Sequence, residues 1–151
     1  MMSNIPCHVL TVFRAFNAYG GFTSGIGVHY APSAITNTTH QSHAANLIIG
    51  QRMLPHVFIR AADARPFEIQ DLLPSDTRFK VLVFTGDVTD AQQFSRVKKL
   101  AEHIDSADSF YRKFGGLEPQ QVFDILSISS STKEHVNFTD MPPVFRTHWS
   151  K

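Results

Sequence analysis

A chain of 151 residues with 14 Lys and Arg against 13 Asp and Glu carries a net charge of +1, which gives no electrostatic reason to bind nucleic acid or an anionic membrane. Its hydrophobic fraction of 42% and charged fraction of 18% exclude a disordered tail and suit one packed globule, large enough to need no disulfide or metal. The single cysteine, Cys7, excludes an internal disulfide and a CxxC redox pair.

The N-terminus MMSNIPCHVL lacks the basic-then-apolar pattern of a signal peptide. No apolar run reaches the ~18 residues of a membrane helix. A reducing, cytoplasmic location is therefore the expectation.

Val9, Val12, Phe13 and Phe16 recur at three- and four-residue steps, which predicts a helix over 5–19, stopped by Gly20-Gly21. The glycine-rich FTSGIGVHY at 22–30 reads as an extended strand, an arm with close backbone approaches. Residues 31–50 are polar and aperiodic, a linker. A domain over 51–151 follows.

Within that domain Val57, Phe58 and Ile59 form a short apolar strand, and Phe67, Ile69, Leu72 and Leu73 a second strand or helical turn ended by Pro74. The run 79–84 in RFKVLVFTGD predicts a buried central strand. Asp90 can cap a helix with Gln93 as its capping-box partner. Phe94, Val97, Leu100, Ala101 and Ile104 mark that helix's core stripe. Another turn is expected over 110–114 and a strand over 122–128. Strand, helix and strand in this order predict a parallel pair with a right-handed crossover. Beyond it Phe138, Met141, Val144, Phe145 and Trp149 are apolar but aperiodic, around Pro142-Pro143.

The motifs that carry chemistry are sparse. Gly25 and Gly27 lack the third glycine and following helix of a dinucleotide loop, and no phosphate-binding GxxxxGK[ST] exists. They are better read as backbone packing. His40 and His43 make an HxxH without carboxylate or thiolate company, so no metal is expected. Ser24 lies in TSGIG rather than GxSxG. His29, Tyr30, His56, Arg60 and Asp63 fall at ends of predicted elements, where α/β sheets hold ligand clefts. They are the candidate catalytic residues if the chain is an enzyme, although Asp63 in ADARP also has a plain turn reading.

FTSGIGVHY, the polar linker, and QRMLPHVFIRAADARPFEIQDLLPSDTRFKVLVFTGD together resemble the C-terminal region of phenol 2-monooxygenases. These are FAD-dependent aromatic hydroxylases of the p-hydroxybenzoate hydroxylase class, and the resemblance spans 19–149. It implies an α/β, thioredoxin-like fold without redox cysteines, tied to dimer contacts rather than hydroxylation. It also implies that FAD and substrate sites lie in preceding domains, whose tail the first helix and FTSGIGVHY resemble. The family pattern continues past Trp149 with a strand, its hairpin partner and a last helix, so the 51–151 domain is expected to be incomplete at its C-terminal end, with an open sheet edge beside the strand over 122–128.

The function expected is thus a non-redox dimerisation or accessory module with no cofactor of its own. Its homodimer would form through an exchanged N-terminal arm or the open edge. The alternative is a freestanding enzyme of fungal-type secondary metabolism, catalysing a cofactor-free cyclisation, dehydration or isomerisation. Its substrate would be an aromatic or polyketide-like small molecule held among the thirteen Phe, which are otherwise simply core.

Overall fold

Apolar spacing near the N-terminus does build a helix, α1 (Cys7–Thr23), but Gly20 and Gly21 do not stop it. The computed structural model describes residues 7–146, the side chains of 7–10 and 13 excepted. It explains the longer helix by what satisfies the last carbonyls. The Thr23 hydroxyl donates to the Gly20 carbonyl at 3.1 Å, and the Gly27 N–H to the Gly21 carbonyl at 2.7 Å. Gly25, at φ 73°, makes the left-handed reversal that ends the helix. The strand expected over 22–30 is therefore replaced by a helix end and a turn. Only His29 pairs in extended fashion, in an isolated antiparallel bridge with Gln51.

Residues 31–50 carry one 3-10 turn, Gln41–Ala44. The Gln41 side chain pins the loop: its amide nitrogen donates to the carbonyls of Ala44 and Leu47, and its oxygen accepts from the Ile49 N–H at 2.8 Å.

The chain divides into two compact units, Met1–Pro55 and His56–Lys151. The second holds both sheets. Strands β1 (Val57–Ile59) and β2 (Pro66–Glu68) pair antiparallel, with Phe58 opposite Phe67. A 3-10 turn, Ile69–Leu72, follows. Strands β3 (Phe79–Gly86) and β4 (Phe123–Ser129) pair in parallel, Val81 opposite Ile125. Between them run α2 (Ala91–Asp105) and α3 (Phe110–Gly115). The α/β class and the parallel crossover are as the sequence predicts.

The helix start is as expected too: the Asp90 carboxylate accepts from the Gln93 N–H at 2.7 Å. The Gln93 side chain does not complete a capping box; it turns to the Thr85 carbonyl at 2.8 Å, tying α2 to β3.

Val83, Val97, Ala101, Ile104, Ile125, Met141 and Phe145 form the core, with Val81 and Phe94 at its margin. Leu100, at the stripe's edge, is 42% exposed and drops out of the expected set. The expected central strand is also different. In β3, Phe79 and Phe84 are 68% and 52% exposed, whereas β4 buries four successive residues, Phe123 to Leu126. A two-stranded sheet covers β3 on one edge only. Phe145, 1% exposed, reaches the core from a 3-10 turn, Pro143–Phe145. Proline suits the first position of such a turn because no donor is wasted there. Trp149 lies outside the described residues.

Candidate functional site

The second unit encloses a partly open cleft of about 500 Å³. The β1–β2 hairpin and the 3-10 turn after it form one wall, through Phe58, Phe67 and Leu72. The C-terminal half of β4 and the turns after it form the other, through Leu126, Ile128 and Phe138. Arg60, Lys133, Asn137 and the hydroxyl residues Thr85, Ser127, Ser129, Ser131 and Thr132 supply the polar lining.

Arg60 is held in place from two directions. Its Nε and Nη2 donate to the two carboxylate oxygens of Asp63 at 2.8 and 2.5 Å, and its guanidinium lies 4.4 Å from the centre of the Phe67 ring. Asp63 also accepts from the Arg65 N–H at 3.2 Å, which closes the hairpin turn. The hydrogen bonds from Arg60, then that from Arg65, hold the Asp63 carboxyl well below the usual carboxylate range. A carboxylate so stabilised is a weak base at neutral pH.

The other candidates lie elsewhere. His56 is exposed and outside the cleft lining; its carbonyl accepts from the Ile69 N–H at 2.9 Å and its ring meets Phe58 edge-on. His29 and Tyr30 belong to the first unit. There the Tyr30 N–H donates to the Gly50 carbonyl at 2.9 Å, and its side chain is 67% exposed. Only Arg60 and Asp63 of the five are brought into contact.

Sequence reasoning missed the opposite rim. Lys133 donates to the Ala61 carbonyl at 2.6 Å, joining the turn after β4 to the hairpin turn across the cleft. Beside it, the Ser131 hydroxyl donates to Asp87 at 2.7 Å and lies 3.0 Å from the Ser129 hydroxyl, which donates to the Gly86 carbonyl at 2.9 Å. Hydrogen bonds from Thr89, then Ser131, lower the Asp87 carboxyl. The hydroxyl run SISSST after an apolar strand was the available signal.

A second polar cluster occupies the other end of the sheet. Lys80 Nζ donates to Asp76 at 2.7 Å and to Asp124 at 2.9 Å. Arg78 Nη2 lies 2.5 Å from Asp76 and 3.4 Å from Asp124, which is 6% exposed. Two acids and two bases cancel. Hydrogen bonds from Arg78, then Lys80, push the Asp76 carboxyl well below its ordinary value. Burial pulls the Lys80 ammonium down, but Asp76 and Asp124 together outweigh it and leave it raised.

Among the described residues no three His, Cys, Asp or Glu are grouped to hold a metal ion. No described helix is long and apolar enough to cross a membrane.

Sheet, crossover helices and apolar cleft define a small α/β module with a paired cluster of charges at one end of its parallel sheet. Residues 28–151 match the family described as phenol hydroxylase, C-terminal dimerisation domain, and the chain belongs to that family. Over 142 residues, 91% of the chain, it is 33% identical to a phenol 2-monooxygenase of Aspergillus fumigatus. It is 30% identical over 133 residues, 85% of the chain, to a 3-hydroxybenzoate 4-monooxygenase of Comamonas testosteroni. To an FAD-dependent monooxygenase of Aspergillus terreus it is 27% identical over 128 residues, 82% of the chain. It spans only 21–22% of the length of these relatives.

Proposed function

We propose that this chain is a non-redox self-association module related to the flavin-dependent phenol hydroxylases, built on a thioredoxin-like domain over 51–151 and acting in the cytoplasm. The parallel β3–α2–β4 unit behind a hairpin supports that fold.

One observation carries the self-association. The Phe79 N–H bonds the Val122 carbonyl at 2.8 Å, which sets the phase of the parallel ladder. Lys80, Leu82 and Phe84 then turn their backbone groups away from β4, with the Phe84 ring half exposed beside them. Such an edge is a template for another strand.

The site for FAD is absent on this reading. The β3-to-α2 turn is GDVTD, with one glycine, and the Asp90 carboxylate already holds the helix N-terminus that a pyrophosphate would need. Asp87 would add repulsion. The same commitment of Arg60 to Asp63 favours a module over a cofactor-free cyclase or isomerase, because the pair offers the cleft no poised base.

Sedimentation equilibrium at micromolar concentration tests the reading. A dimer is expected, burying at least about 1,200 Å² in total, and Phe84→Lys should shift it to monomer. Removing residues 1–30 should leave dimerisation through the edge intact and abolish it if the N-terminal arm is exchanged. A wild-type chain that stays monomeric overturns the proposal.

A further inference from the structure

The cleft has a composition that self-association does not explain. Its walls are apolar, yet the charged residues lining it are Arg60 and Lys133, with no acid among them. Asp63 offsets Arg60 from outside the lining, and Asp87 and Glu134, bonded to the lining residues Ser131 and Thr132, stand behind the rim, so what the cleft itself presents is cationic donors and no carboxylate. Arg60 gives Nε and Nη2 to Asp63, and Nη1 has no partner among the described residues. Lys133 gives one of its three hydrogens to the Ala61 carbonyl. Donors of positive charge therefore remain at the mouth of an apolar space of about 500 Å³, a volume within the range of small-molecule sites.

We propose that this cleft binds a small amphipathic monoanion: an apolar body seated among Phe58, Phe67, Leu126 and Phe138, with a carboxylate or similar group between Arg60 and Lys133. The body displaces water from apolar walls, which drives binding. The anion replaces water on two cationic donors, which fixes orientation. A neutral ligand of the same shape gains the first term and not the second. A cation meets like charge.

A matched pair of dyes separates the terms. 1-Anilinonaphthalene-8-sulfonate and N-phenyl-1-naphthylamine share the apolar body and differ by the sulfonate. With the full chain, fluorescence titration should show one saturable site for the sulfonate, tighter than for the neutral dye. Lys133→Gln should weaken the sulfonate about tenfold, the value of one charge-assisted hydrogen bond, and leave the neutral dye within about twofold. Ile128→Trp, which fills the cleft from β4, should abolish both. Should that variant unfold by circular dichroism, Phe138→Trp replaces it. Displacement by 1-naphthoate against decanoate then distinguishes an aromatic from a chain-like natural body. The proposal is overturned by any of four results: no saturable site; equal affinity for the two dyes; binding indifferent to the filling variants; or displacement by neither carboxylate.

Discussion

At the scale of single residues, several charges are paired. Arg60 pairs with Asp63, and Asp76 with Arg78, Lys80 and Asp124 makes a group of two acids and two bases. This gives stability a pH dependence of definite sign. The Asp76 carboxyl titrates lower in the folded chain than in the unfolded one, so its contribution is complete above the unfolded value near 4 and is lost as pH falls through the lower folded value. Urea unfolding should show stability level from pH 7 to about 5 and declining below about 4. Asp76→Asn should be the less stable variant at pH 7, and the gap should close as pH falls. A gap that widens in acid would contradict the assignment. None of this cluster was legible in the sequence. Asp124 reads as a polar position in an alternating strand, and nothing local says that Lys80, 44 residues earlier, lies opposite.

Among elements, those whose signals are local were readable. Helix α2 shows its cap, Asp90, and its stripe, Val97, Ala101 and Ile104, within fifteen residues. Asp90→Ala should therefore cost about 1 kcal/mol, the usual value for losing such a cap, read as a lower urea midpoint with an unchanged slope. A loss below about 0.3 kcal/mol would mean that water caps the helix equally well. Elements fixed by distant partners escaped. The end of α1 depends on hydroxyls and the Gly27 N–H rather than on its glycine pair. The hairpin depends on Asp63 bonding across its own turn and on Ala64 adopting φ 59°. Phe145 is the same case: a diproline suggested irregular chain, and irregular chain is what delivers the ring to the core.

At the scale of the molecule, the chain divides after Pro55. The second unit contains the core cluster, both sheets and the cleft. Residues 56–151 expressed alone should therefore fold, with a cooperative thermal transition and the far-ultraviolet signature of mixed helix and strand. A non-cooperative melt would show that the first unit is needed to complete the fold. The cleft itself was half legible. Arg60 and Asp63 stand out in RAADAR, but Lys133 reaches the rim from 72 residues away, a distance no local pattern encodes.

The neutral cluster around Asp124 has a further consequence, for errors in folding. Parallel strands that meet only after two intervening helices have several ways to mispair, and a slip by one residue turns every side chain to the opposite face. Here that slip would thrust the Asp124 carboxylate toward Val83 and Ile104 and strand Lys80 without its counter-charge. Uncompensated burial of that kind costs on the order of 3–5 kcal/mol, enough to make the misaligned sheet a rare visitor. Two acids and two bases at one end of two strands thus serve as proofreading, selecting one alignment of β3 on β4.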